Sequence, residues 1–71
     1  MMRPVRAMAS GAIHLTGVEP EPIVVMNIPC MGGVDSVRTA CGAVIGGNGW
    51  IVMQVEPDSS HVCVRCRRLA Q

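Results

Sequence analysis

Aromatic residues are nearly absent from this chain, which contains no Phe, no Tyr and a single Trp. Aromatic side chains supply much of the buried apolar area in ordinary cores, and here six flexible Met and several aliphatic residues must replace them. A chain of 71 residues also buries only about three fifths of its unfolded surface. Because a core of this size seldom supplies more than about 3 to 5 kcal/mol, the sequence predicts an additional cross-link.

Long apolar runs are also missing. The longest candidate, residues 23–28, contains Asn27 and is much shorter than the roughly 20 apolar residues of a membrane span. The segment after Arg3 and Arg6 is short and built of small residues, which makes a poor signal peptide. The sequence therefore predicts a cytoplasmic protein without membrane association. Met8 is an alternative start, in which case residues 1–7 are either ordered by accident or a frayed tail.

Lysine is absent, and every basic residue other than His is Arg. Arg65, Arg67 and Arg68 form the only charge cluster. On a helix Arg65 and Arg68 share a side, so a nucleic-acid-binding zinc finger is one alternative function. A net charge of +1 and the lack of stacking aromatics weigh against it, since both weaken attraction to nucleic acid. Solvated cations that complement a helix C-terminus are the simpler interpretation.

The four cysteines include a Cys-x-x-Cys pair, Cys63 and Cys66. Two thiolates at this spacing can bind one metal ion, and a tetrahedral site needs two further ligands. Cys41, which precedes Gly42, and His14 are the best upstream candidates. In a reducing cytosol such thiols favour zinc over disulfides, and structural zinc contributes on the order of 10 kcal/mol on folding. We therefore expect a closed zinc site formed by His14, Cys41, Cys63 and Cys66.

Two other residues compete with His14 for the fourth position. Cys30 would complete an all-thiolate site, and four thiolates could also hold the iron–sulfur cluster of a redox sensor. His61 lies two residues before Cys63, so binding of one ion by both would bend the backbone awkwardly. Both alternatives remain open from the residues alone.

The pattern along the chain predicts a disordered segment over residues 1–11 and a single zinc-binding domain over residues 12–71. Within this domain we expect strands over residues 12–16 and 23–28, a hairpin joining residues 44–45 to 50–55 through a Gly/Asn turn, and helical turns over residues 64–70. In the second hairpin arm Ile51, Met53 and Val55 share the face that we assign to the core. The predicted fold class is a small α+β metal-stapled domain with β-hairpins and a short C-terminal helix.

The ligand positions on this outline resemble half of a treble-clef or zinc-ribbon-like finger. The sequence also resembles small zinc-finger-like proteins of actinobacteria and their phages, in which a His-Leu-Thr strand, a Thr-x-Cys-Gly turn and a closing Cys-x-x-Cys-Arg-Arg follow in this order. Here these motifs begin at His14, Thr39 and Cys63. The resemblance implies the same four zinc ligands, whereas Cys30 and the long segment before Thr39 depart from the pattern.

Catalysis is not expected, because four protein ligands close a metal site and because no substrate cavity or βαβ redox context is indicated. Apolar residues make up 49% of the chain, and its strands are expected to leave open edges. These features predict a binding module whose partner is another protein or a second copy of this chain, without a small-molecule substrate. Nucleic acid is the second choice of partner.

Overall fold

The computed structural model describes residues 2–47 and 49–70. Within these residues, seven short strands precede one helix: β1 (Arg3–Ala7), β2 (Ile13–Thr16), β3 (Glu21–Val25), β4 (Ile28–Gly32), β5 (Val37–Arg38), β6 (Val44–Ile45), β7 (Trp50–Val52) and α1 (Val64–Leu69). Five strands form an antiparallel sheet in the order β2-β1-β7-β4-β3, and β5 and β6 form a second, two-stranded sheet. Of the predicted α+β metal-stapled fold class, the small domain with antiparallel β-structure and a short C-terminal helix is confirmed.

Strand β1 lies inside the large sheet, between β2 and β7. Its residue Val5 is fully buried and lies opposite both His14 and Val52. The predicted disorder of residues 1–11 is therefore wrong for residues 3–7, and of the two interpretations of residues 1–7 the frayed tail is wrong for the same part; Met1 lies outside the described residues. The sequence of residues 1–11 shows no regular apolar alternation. Pairing with a strand on each side nevertheless satisfies the backbone of β1 and buries it, which orders the strand.

The predicted strand over residues 23–28 is in fact two strands joined by a turn. Met26 and Asn27 have φ values of 51° and 66°, and Val25 pairs with Ile28 across them. Two successive left-handed residues between paired strands define a type I′ hairpin turn. The apolar run concealed this turn, although Asn27 tolerates the left-handed region better than most residues.

The predicted hairpin between residues 44–45 and 50–55 is also wrong in its pairing. Strand β6 pairs with β5, whereas β7 pairs with β1 and β4 in the other sheet. The Gly-rich segment therefore carries the chain from one sheet to the other. The chosen core face must be corrected as well, because Trp50 is almost fully buried while Ile51 and Met53 are only half-buried. The large apolar area of the indole decides the orientation.

Two groups of buried residues form the interior. The first group consists of Trp50, Val5, Val37 and Ile45. This group joins the large sheet to the small one. The second group consists of Leu15, Val62 and Cys66, with Val55 and other partly buried residues packed against it. This second group connects β2 to helix α1 and lies beside the candidate site. Across residues 2–47 and 49–70, no helix combines the length and apolarity needed to cross a membrane.

Candidate metal centre

Four predicted ligands meet at one end of the large sheet. His14 is on β2, Cys41 follows β5 in a turn, and Cys63 and Cys66 belong to the start of α1. One ligand atom from each residue lies within 4.8 Å of the corresponding atom in every other one. We call this group the His/Cys cluster. The structure therefore brings together all four predicted residues from three segments that are distant in sequence, in an arrangement that can hold a metal ion.

The outer edge of β2 positions the segments that carry the cysteines. The carbonyl of Ile13 accepts a hydrogen bond from the amide of Cys63 at 2.7 Å, and the carbonyl of Leu15 accepts one from Ala40 at 2.8 Å. These two carbonyls flank His14. Since Ala40 directly precedes Cys41, the backbone on either side of the histidine places a cysteine-bearing segment. A parallel bridge between Ile13 and Val62 extends the first contact.

A tight turn presents Cys41 to the cluster. The amide of Gly42 donates to the carbonyl of Thr39 at 3.0 Å, and the amide of Thr39 donates to Ala43 at 2.8 Å. Gly42 has a φ of 88°, which a residue with a Cβ seldom adopts. The glycine after Cys41 therefore closes the turn that directs the cysteine towards His14.

The observed distances fit the edges of a tetrahedral site. Nδ1 of His14 lies 3.5 Å from Sγ of Cys41 and 3.5 Å from Sγ of Cys66. With Zn–S bonds of about 2.3 Å and Zn–N bonds of about 2.0 to 2.1 Å, a tetrahedron has S···N edges of about 3.6 Å and S···S edges of about 3.8 Å. The two sulfur–nitrogen distances are thus already near those of a zinc site, and contraction of the longest ligand separation by about 1 Å would complete it.

The thiols of Cys41 and Cys66 differ in their electrostatic surroundings. The hydroxyl of Thr39 lies 3.2 Å from Sγ of Cys41, and this contact is the main reason that the pKa of Cys41 falls from 9.0 to about 6. Burial instead raises the pKa of Cys66 above its usual 9.0. Cys41 can therefore supply a thiolate near neutral pH, whereas ionisation of the buried Cys66 is favoured when a cation compensates the charge.

The two competing ligand candidates lie outside the cluster. Cys30 is on β4 and lines an open cavity of about 450 Å³ together with Pro29 and Val52. His61 is exposed in the loop before α1. All four cysteines are free thiols. Of these three candidates, His14 is the one that lies beside Cys41, Cys63 and Cys66 in the described part of the chain.

Thr39 contacts the sulfur of Cys41, a role that was not predicted from the sequence. Its side chain is buried beside the cluster and contacts Cys41, and its backbone holds the turn. The Thr-x-Cys-Gly spacing was the available signal, because a hydroxyl two residues before a cysteine in a turn can reach the sulfur.

No known family model matches this chain, and searches of curated proteins and of solved structures find no match either.

Proposed function

We propose that the His/Cys cluster holds a structural zinc ion and that the protein is a small binding module with no catalytic activity. The observation that carries the proposal is the convergence of four zinc-type donors from β2, the Cys41 turn and α1 within 4.8 Å. Zinc favours this combination of imidazole and thiolate donors.

Four protein donors make a closed site. Catalytic zinc sites keep one position for water or substrate, whereas structural sites are filled by protein ligands. Bound zinc would supply positive charge that keeps the thiolates ionised. His14, Cys41, Cys63 and Cys66 would then link three segments that the short helix and the aromatic-poor core hold only weakly.

The donor set favours zinc over an iron–sulfur cluster. The iron–sulfur alternative uses Cys30 as its fourth thiolate, but His14 takes the fourth position in the cluster and Cys30 lies on β4. A turn that carries Cys41 and a ligand pair at the start of α1 support a treble-clef-like or zinc-ribbon-like site. The resemblance to zinc-finger-like proteins of actinobacteria and phages rests on the same residues and remains part of this proposal.

A protein partner is the proposed target, and the reducing cytoplasm is the proposed location because it preserves thiolate ligands. Large apolar side chains remain exposed over much of the surface, including Val24 and Met26. Arg65 and Arg68 are exposed on α1, so nucleic acid remains the second candidate, but Arg67 has its Nε buried. The arginine cluster thus presents fewer free cations than its sequence suggests.

Metal content of tag-free protein, measured by elemental mass spectrometry and native mass spectrometry, tests the zinc site. We expect one zinc per chain. Loss of the metal is expected in His14→Ala and Cys66→Ser, whereas the matched controls His61→Ala and Cys30→Ser should keep it. Iron in anaerobically purified protein, or zinc that survives both site substitutions, would refute the proposed centre.

A further inference from the structure

Strands β3 and β4 and their connecting turn form a hairpin without a charged residue between positions 22 and 31. We call it the apolar hairpin. Val24, Met26 and Ile28 are 72%, 86% and 61% exposed, respectively. Scattered apolar residues on a surface are ordinary, but a contiguous uncharged segment with this exposure is typical of an interaction site.

The two edges of the large sheet differ in their backbone partners. At the β2 edge, the carbonyls of Ile13 and Leu15 accept hydrogen bonds from Cys63 and Ala40. At the other edge β3 is the terminal strand, and within residues 2–47 and 49–70 it pairs with β4 alone. The outward backbone groups of β3 are therefore free to pair with another strand.

The hairpin turn shows which groups of β3 point outwards. In a two-residue type I′ hairpin the flanking residues, Val25 and Ile28, form a hydrogen-bonded pair, and bonded and non-bonded pairs then alternate. Val24 and Pro29 form the next, non-bonded pair. The proline confirms this alternation, because it has no amide to donate. The amide and carbonyl of Val24 consequently point away from β4, towards the open edge.

We propose that β3 pairs with β3 of a second copy of this chain, antiparallel and edge to edge, with the two-fold axis at Val24. Val24 then lies opposite Val24 of the second copy, and their outward amides and carbonyls exchange two hydrogen bonds. Ile23 lies opposite Val25 in the same register. The two five-stranded sheets become one continuous sheet across the axis.

The charge pattern of the segment favours a second copy as the occupant. In this register Glu21 of one copy falls opposite the turn residue Asn27 of the other, so a carboxylate meets an amide donor and like charges stay apart. The pairing is isologous and uses up both open edges, while the β2 edges are already covered. It therefore closes as a dimer and does not extend into a fibre.

The association should be weak and reversible. One five-residue edge strand, with Pro22 lacking an amide, offers few hydrogen bonds and an area at the low end of specific interfaces. The inference deepens the proposed interaction role by naming the partner. The pairing surface contains no residue of the His/Cys cluster, since the apolar hairpin and that cluster occupy opposite edges of the sheet.

Sedimentation equilibrium over a wide concentration range tests the pairing, with metal content measured on every sample. We expect a monomer–dimer equilibrium for the wild-type chain. Val24→Lys and Val24→Glu should each weaken self-association about tenfold or more, because like charges then meet at the axis. A mixture of the two variants should associate again, since Lys faces Glu. Val24→Thr keeps the amide and the strand propensity and serves as the control that should still dimerise.

Circular dichroism and metal content verify that the variants remain folded, which is expected because Val24 is exposed. A wild-type chain that is monomeric at every concentration would overturn the proposed dimer, and so would a dimer that Val24→Lys leaves intact. Failure of the mixed variants to associate would equally exclude a two-fold axis at this residue. Because each sample is assayed for metal, failure of the dimer and failure of the zinc site are separate results.

Discussion

The two edges of the large sheet carry the same kind of backbone amides and carbonyls, but those of β2 are partnered within the chain and those of β3 are exposed. At the β2 edge, residues from the Cys41 turn and from the start of α1 pair with the strand and bring the ligands around His14. At the β3 edge, a hairpin of apolar residues remains exposed, with Val24 72% accessible. Edge strands invite pairing. One edge therefore organises a site within the chain, whereas the backbone groups of the other edge are available to pair with a strand of another chain.

The two edges also differ in how they are stabilised. The β2 edge has a buried cluster of its own, formed by Leu15, Val62 and Cys66. Among the described residues, the strand pairing between the apolar hairpin and the rest of the sheet has a single position, Gly32 opposite Ile51. An isolated hairpin is marginally stable in water. The folding of the apolar hairpin therefore depends on the rest of the sheet more than the rest of the sheet depends on the apolar hairpin.

Removal of the proposed zinc ion is expected to have the largest effect. A strong chelator should abolish the folded state, because structural zinc contributes on the order of 10 kcal/mol and the aromatic-poor core cannot replace it. We expect the apolar hairpin to unfold together with the metal centre, as followed by far-ultraviolet circular dichroism and amide hydrogen exchange. Protection that persists in β3 and β4 after complete zinc removal would contradict the dependence of one edge on the other.

Substitution of Gly33 should disturb the packing of Trp50 on β7, the strand that lies between the two edges. A Cβ at this position would overlap the Trp50 indole, and overpacking of a core costs about 1 to 3 kcal/mol. We therefore expect Gly33→Ala to lower the free energy of unfolding of the zinc-loaded protein in urea titrations. Gly17→Ala is the matched control, because a Cβ there meets nothing within 4 Å. Equal stability of the two variants would show that the indole does not require the glycine.

Loss of the Thr39 hydroxyl should make the proposed metal centre more sensitive to acid, without a direct effect on the apolar hairpin. The folded pKa of Cys41 lies below its ordinary 9.0, at about 6, so the stabilisation from its thiolate is present above pH 9.0 and is lost as the pH falls through about 6. Thr39→Val removes the hydroxyl and should move the midpoint of zinc release about 1 pH unit higher. A chromogenic zinc indicator measures the release during acid titration.

Ser36→Ala is the control for this titration, since Ser36 is exposed and its hydroxyl is outside the Cys41 turn. Its release curve should coincide with that of the wild-type chain. An unchanged curve for Thr39→Val would mean that the hydroxyl does not stabilise the Cys41 thiolate.

The smallest effect is expected at the tip of the apolar hairpin. Met26 is 86% exposed and has a φ of 51°, a conformation that Asn adopts more readily. Met26→Asn should therefore leave zinc content unchanged and raise the free energy of unfolding by about 0.5 kcal/mol. Chemical denaturation of the zinc-loaded variant measures this change. A clear loss of stability would show that the exposed Met26 side chain makes a contact that its accessibility does not reveal.

The residues of the His/Cys cluster were more predictable than the strands. Cys63 and Cys66 are recognisable from local spacing, and the start of α1 places them as expected. Strand β1 was not predicted, because its order comes from two neighbouring strands and not from its own composition. The partners of β6 and β7 were wrong because a Gly-rich turn fits both a hairpin and a crossing between sheets. The type I′ turn at Met26 and Asn27 was hidden within an apolar run.

By itself the sequence determined the donor types, the need for a cross-link in an aromatic-poor chain and the uncharged character of residues 22–31. These are properties of composition and short spacing. Only the tertiary structure decided that His14, and not Cys30 or His61, joins the cysteines. It also decided that Val24 faces an open edge. The physical reason is that both outcomes depend on backbone hydrogen bonds between distant segments, namely those of Ile13 and Leu15 at one edge and the pairing of β3 with β4 at the other.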